Sequence, residues 1–287
     1  MVAPTTIEAT DTLVWVSART DIGMRRPSNE DSMLVADLAT GTAVMSPDMN
    51  VYESDKLGML MAISDGMGGA VGGEVASHLA VTELHNLLLT QTDDFDVEDQ
   101  LRMAVELANL RVWTRAQAEP ALAGMGTSLT AALVRERRAY IAQVGHSRAY
   151  LIRDDLARQI TTDQSLAQSL LDHGVITQDK GSAFKNVLIQ ALGTLPVVRV
   201  VLTSVEIRHD DHLLICSDGL SNKVTSDEIS LVVQQSANLT DSCMRLIEIA
   251  NERGGEDNIS VILARISIAA RCRPFARASP GDLKVVT

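Results

Sequence analysis

The run Leu57-Gly58-Met59-Leu60-Met61-Ala62-Ile63-Ser64 is apolar over the length of a strand and stops abruptly at Asp65-Gly66-Met67-Gly68-Gly69. A strand of this kind has to cross a core, and its terminal acid then sits at the rim, where backbone order is high and a side chain can be held rigidly. The glycines that follow allow a sharp turn and bring backbone carbonyls close to a ligand. Gly-rich turns also bind anions. Here, however, Gly66-Met67-Gly68-Gly69-Ala70-Val71 lacks the third Gly of the dinucleotide fingerprint, and no Gly-Lys-Ser/Thr follows. An Asp at the head of the loop repels a pyrophosphate and suits a hard cation. Taken alone, the stretch fits a metal site and a purely structural turn equally well.

Two later stretches repeat the arrangement. Leu213-Leu214-Ile215-Cys216-Ser217 runs into Asp218-Gly219, and Asp257-Asn258 stands just before the β-rich Ile259-Ser260-Val261-Ile262. An acidic pair, Glu30-Asp31, lies upstream. One Asp at a strand end is ordinary turn chemistry. Several, with an acidic pair, point to carboxylates converging on divalent cations through oxygen ligation.

The overall charge sharpens this reading. A net charge of −12 argues against general nucleic-acid binding and repels a phosphorylated substrate at long range, unless bound cations invert the local field. No apolar run reaches the about eighteen residues of a membrane span, and Met1 to Thr12 lack a signal-peptide pattern, so a cytoplasmic chain away from membranes is expected. Cys216, Cys243 and Cys272 are far apart and form neither a disulfide framework nor a zinc knuckle; Cys216 reads as inert core.

Along the chain, residues 1–12 read as a loose lead-in, 13–20 and 32–36 as strands, and 39–56 as loop. Ala76, Ala80, Leu84 and Leu87/Leu88 define one helical stripe, which leaves Ser77, His78, Glu83 and His85 on the solvent side. Leu101, Ala104, Val105, Ala108 and Val112 define a second stripe within 97–118. Residues 126–160 turn to β, with a bend at Gly145-His146-Ser147. The polar, helical stretch 161–195 interrupts that β pattern and reads as an inserted flap, after which β structure resumes at 197–207. His209-Asp210-Asp211-His212 has metal-ligand composition but lies between strands, where acidic turns are routine. Thr225-Ser226-Asp227-Glu228 is a capping box for a helix to about Gln235, and a further helix spans about 241–251. Residues 13–268 are expected to form one domain, with 269–287 as a disordered tail.

The acids, one early Arg and the absence of a phosphate-binding Lys loop together describe metal-assisted phosphoester hydrolysis. In this chemistry two cations orient a bridging water for in-line attack and a guanidinium grips the phosphoryl oxygens. The order of the pieces resembles the PPM/PP2C family of metal-dependent protein serine/threonine phosphatases, in its bacterial branch, over about 13–268. The resemblance rests on Gly23-Met24-Arg25-Arg26-Pro27-Ser28-Asn29-Glu30-Asp31, Ser64-Asp65-Gly66-Met67-Gly68-Gly69, Gly126-Thr127-Ser128, Cys216-Ser217-Asp218-Gly219-Leu220 and Asp257-Asn258-Ile259-Ser260.

It implies an α+β fold in which two antiparallel sheets are flanked on both sides by helices, with the site in a cleft at one end. It also implies that Arg26, and not Arg25, binds phosphate; that Asp65 bridges two metals and Gly66 adds its carbonyl; that Asp218 and Asp257 hold the first metal; and that Glu30 and Asp31 serve the second. Asp31, Asp65, Asp218 and Asp257 then carry catalysis with two Mn²⁺ or Mg²⁺ ions, Mn²⁺ being favoured. The implied substrates are phosphoproteins of a Ser/Thr kinase, and a monomer is expected. Two departures stand out. The family's Val-Gly-Asp-Ser-Arg reads Val144-Gly145-His146-Ser147-Arg148, which places His146 at a weak third metal site. The flap motif Thr-x-Asp-His-Ser reads Thr161-Thr162-Asp163-Gln164-Ser165. An imidazole is a poor Mg²⁺ ligand, so the alternative function is a phosphoprotein-binding pseudophosphatase.

Overall fold

The computed structural model describes residues 10–44, 50–54, 57–67, 72–90, 95–177, 184 and 187–270. Its strands are β1 (Thr10–Asp21), β2 (Asp31–Asp37), β3 (Thr42–Val44), β4 (Asn50–Ser54), β5 (Met59–Met67), β6 (Gly126–Thr127), β7 (Leu129–Arg135), β8 (Arg138–Val144), β9 (Arg148–Arg153), β10 (Leu156–Gln159), β11 (Val201–Glu206), β12 (His212–Cys216) and β13 (Ile259–Ala270). The helices are α1 (Gly72–Thr90), α2 (Val97–Ala118), α3 (Leu166–Asp172), α4 (Asp218–Ser221), α5 (Ser226–Gln235) and α6 (Leu239–Glu252).

These strands form two sheets, ordered β10-β9-β12-β13-β1-β4 and β11-β8-β7-β5-β2-β3, with β6 attached to β5. Pairing is antiparallel, and β1 joins β13 along its whole length, so the first and last strands lie side by side. The sheets face each other and helices cover both outer faces, as the family resemblance implies.

Burial on two sides explains why the central strands read as continuous apolar runs. In β5, Leu60 and Ala62 pack under α1 and α2, while Met59, Met61 and Ile63 enter the core between the sheets. In β13, Ile262, Ala264 and Ile266 face the other sheet, while Val261 and Leu263 pack under α4, α5 and α6. Side chains still alternate with period two, but both faces demand apolar residues.

Helix limits follow capping chemistry. Asp96 caps α2 through Asp99 N, and Thr225 and Glu228 form a reciprocal capping box on α5. The hairpin between β9 and β10 turns at Asp154 and Asp155, both with positive φ, the backbone that a two-residue turn between right-twisted strands requires.

Several expectations need correction. The stretch 39–56 contains β3 and β4, short edge strands whose polar residues resemble loop. Thr10 to Thr12 belong to β1, not to a lead-in, and Ala269–Ala270 belong to β13, not to a tail, because these ends pair with each other. Residues 1–9 and 271–287 lie outside the described residues, as do Gly68 and Gly69. Ser77 and His85 are buried, since α1 packs against both β2 and α2 and so buries a wider face than one stripe. Within 161–195 the only helix among the described residues is α3; the segment is tied down by bridges from Ser165 to Leu188 and from Thr127 to Leu192. The acids of 209–212 are taken up by ion pairs, Asp211 with Arg153 and Asp210 with Arg265. No helix among the described residues is long and apolar enough to cross a membrane.

Candidate metal centre

The strand ends bring the predicted acids together. Asp31 opens β2 and Asp65 lies near the end of β5, and the two stand directly opposite each other in the antiparallel register. Like charges in that position repel. Asp218 follows β12 at the start of α4, and Asp257 stands two residues before the first residue of β13. The bend between β8 and β9 adds His146, whose Nε2 lies 3.4 Å from Asp218 Oδ2. Ligand atoms of Asp65, His146 and Asp218 all fall within 4.8 Å of one another.

Each group is held from behind. The Asp65 carbonyl accepts from Ser128 N at 2.9 Å and Thr127 Oγ1 at 2.8 Å, which accounts for the Gly-Thr-Ser stretch. Ser128 Oγ lies 2.5 Å from Ser147 Oγ and ties the His146 bend to β5. Gly145 permits that approach: its φ is +102°, and a Cβ there would stand 2.6 Å from the Ser128 side chain. Gly66 N donates to the Glu30 carbonyl at 3.2 Å, fixing the backbone whose own carbonyl the family resemblance implies as a cation ligand.

Loop 21–30 docks beside this cluster. Asn258 Oδ1 accepts from Glu30 N at 2.8 Å, while its Nδ2 donates to the carbonyls of Ile22 and Ser28 at 2.9 and 3.0 Å. Gly23 makes the fit close, with φ +76° and room for no Cβ, which would lie 2.2 Å from the Asp257 carbonyl. The result places Arg26 on the acids: its Nη2 donates to Asp257 Oδ2 at 2.7 Å. That bond raises the Arg26 pKa, as do the charges of Asp257, Glu30 and Asp65. Arg25 acts on Glu256 instead. Arg26 thus contacts an acid of the cluster, whereas Arg25 lies near Glu256.

Burial and mutual repulsion shape the electrostatics. Burial pushes Asp31 up to about 7, opposed by the hydroxyls of Ser260 and Ser217 and reinforced by Asp218 and Asp257. Asp65 is held well above the usual carboxylate range by burial and then by Asp31, Asp218 and Asp257. Burial raises Glu30 as well. Asp31 Oδ1 is a buried oxygen with no hydrogen-bond partner among the described residues. Opposed, desolvated carboxylates with an orphaned oxygen form a hard-oxygen donor set that divalent cations would satisfy, and the residues present fit such ions. Cys216, two positions from Asp218, is fully buried with its thiol pushed up to about 12, so it stays an inert core residue.

Sequence reasoning missed the supporting polar residues Asn29, Asn258, Ser217 and Ser260. They stand inside or beside the motifs, but the partners of Asn258, Ser217 and Ser260 lie far off in the chain, and Asn29 acts through Thr20, which is outside the motif. The segment 161–165 shows the same effect: Asp163 pairs bidentately with Arg148 at 2.8 and 2.6 Å, and Gln164 Oε1 accepts from Gly145 N at 2.8 Å, so the two departing motifs touch.

The sequence profile of protein phosphatase 2C matches residues 48–264. The chain belongs to the protein phosphatase 2C family. It is 38% identical over 255 residues to the serine/threonine protein phosphatase PstP of Mycobacterium tuberculosis, covering 87% of this chain and 44% of that protein. The chain therefore spans less than half the length of that relative. With the serine/threonine phosphatase stp of Listeria monocytogenes it shares 34% identity over 263 residues, covering 89% of this chain and 97% of the other. Its fold is similar to the crystal structure of the PstP catalytic domain in complex with two manganese ions, with a TM-score of 0.73 and 36% identity, covering 89% of this chain and 99% of that one. Membership in the phosphatase 2C family thus rests on sequence and fold together.

Proposed function

We propose that this chain hydrolyses phosphoserine and phosphothreonine on proteins with two divalent cations, Mn²⁺ in preference to Mg²⁺, and reverses the action of a Ser/Thr kinase. The observation that carries the reading is the register pairing of Asp31 with Asp65, with Asp218, Asp257 and Arg26 gathered beside them. The named relatives act in the same sense, as serine/threonine phosphatases. A monomeric, cytoplasmic enzyme belongs to the same proposal.

In this reading Asp65, Asp218 and Asp257 would hold one cation, and Asp65, Glu30, Asp31 and the Gly66 carbonyl would serve the other. When bound, the cations supply Lewis acidity that activates water for in-line attack and neutralises phosphoryl charge. Arg26 binds and orients the phosphoryl group, since a guanidinium carries more N–H donors than the one Asp257 oxygen occupies. His146, with Asp218 and Asp65, offers a third, weaker position.

The test is phosphate release from phospho-Ser, phospho-Thr and phospho-Tyr peptides across Mn²⁺ and Mg²⁺ titrations. Turnover of phospho-Ser and phospho-Thr that disappears in EDTA is expected. A protein that binds phosphopeptide at saturating Mn²⁺ yet releases no phosphate would be a binding module, and the proposal would fall.

A further inference from the structure

The carboxylate of Asp31 closes a ring of hydrogen bonds that starts at its own backbone. Asp31 N donates to Asn29 Oδ1 at 3.1 Å. That contact orients the amide, so Asn29 Nδ2 is the group that donates to Thr20 Oγ1 at 2.8 Å. Thr20 Oγ1 lies 2.8 Å from Ser260 Oγ, and Ser260 Oγ lies 2.7 Å from Asp31 Oδ2. The ionised carboxylate that a cation requires only accepts, so in that form the single hydroxyl proton of Ser260 goes to Asp31, and Thr20 must then donate to Ser260. Every bond runs in one sense around the ring. Bonds linked head to tail in this way polarise one another and strengthen the last of them.

The ring also spans the molecule's layers. Thr20 and Ser260 are register partners on β1 and β13, in one sheet, whereas Asp31 opens β2 in the other. It occupies Oδ2 of Asp31 and leaves the buried Oδ1 without a protein partner.

We propose that Thr20, Asn29 and Ser260 are positioning residues that fix the Asp31 carboxylate through Oδ2 so that Oδ1 serves a divalent cation. The inference rests on reading the acids as a metal centre. None of the three residues touches substrate; each acts through Asp31. Partners that orient a ligating carboxylate in this way change metal affinity by about 10–100-fold when removed.

The experiment is calorimetric titration of the full chain with Mn²⁺, with melting in EDTA as a control for folding. Ser260→Ala should weaken one class of Mn²⁺ site by about 10-fold or more. Thr20→Val, nearly isosteric but without a donor, should weaken the same class by a smaller factor, and Thr20→Ser should restore it. The double variant should bind no more weakly than Ser260→Ala alone, because Thr20 acts only through Ser260. Should Ser260→Ala fail to fold, the comparison of Thr20→Val with Thr20→Ser carries the test. Unchanged Mn²⁺ affinity in these variants beside normal binding in the wild type overturns the positioning role, as do strictly additive losses. A wild type that binds no Mn²⁺ overturns the metal centre itself, and the ring's role with it.

Discussion

Asp65→Asn should make the metal-free protein more stable and the metal-loaded protein less so. Asp31 and Asp65 face each other across β2 and β5, and directly opposed residues on neighbouring strands lie about 5 Å apart. Two unit charges at about that distance repel by about 3 kcal/mol at an effective dielectric of about 20. Partial protonation lowers the penalty, so the amide should recover about 1–3 kcal/mol in EDTA at alkaline pH. For a domain of this size that is a rise of roughly 2–10 °C in Tm. In saturating Mn²⁺ the wild type gains about 2.7 kcal/mol once the ion stands at about a hundred times its Kd. On the proposed reading of Asp65 as a metal ligand, the variant gains less, and the order of melting temperatures reverses.

The pH dependence follows from the same pair. Asp31 titrates at about 7 in the folded protein, against about 3.9 in an unfolded chain. Between those values the native state binds more protons than the unfolded one, so metal-free stability falls as pH rises through the window. The advantage of Asp65→Asn in EDTA should therefore be larger at pH 8 than at pH 6. Differential scanning fluorimetry in EDTA and in Mn²⁺ at both pH values reads all of this. A variant that melts below the wild type in EDTA at pH 8 would refute the argument, since the carboxylates would then not be in conflict.

Three further outcomes are expected. Arg26→Ala should raise KM for a phosphopeptide and lower kcat/KM well beyond the effect of Arg25→Ala, because only Arg26 sits on the acid cluster; steady-state kinetics with the ranking reversed would mean the motif register is wrong. Arg153→Met should lower Tm by roughly 10 °C: it strands Asp211, whose side chain is 2% exposed, and breaking a buried pair costs about 3–5 kcal/mol. A thermal melt within about two degrees of wild type would show that the Arg208 backbone bond suffices for that carboxylate. His146→Asp should raise turnover at limiting metal, with the greater relative gain in Mg²⁺, since a carboxylate oxygen replaces an imidazole beside Asp218 and Asp65; superimposable metal titrations of the two proteins would remove His146 from the metal centre.

Much of this arrangement was legible from local pattern. A strand with both faces buried must be apolar throughout, so β5 and β12 announced themselves, and an acid that ends such a run has nowhere to go but the rim. The limits of α2 and the capping box of α5 matched expectation because caps are local hydrogen bonds between residues three positions apart. Edge strands β3 and β4 were missed for the converse reason: each lies at the margin of its sheet, and so carries no strict apolar pattern. His85 was misplaced because α1 meets both a sheet and a neighbouring helix, and one stripe of spacing cannot reveal a second contact face.

The supporting side chains of the metal centre were illegible on different grounds. Ser260 and Thr20 are 240 positions apart, and they meet only because β1 and β13 pair in one register. Shifted by a single residue, every side chain on β13 would turn to the opposite face and Ser260 would lose Asp31. That register depends on the alternation of Val261 and Leu263 with Ile262 and Ala264 between two different cores. The site's fine geometry is thus written in the apolar residues that align the strands as much as in the polar residues that make the contacts. A motif shows which acids converge, but the oxygen each one presents depends on how the sheets are packed.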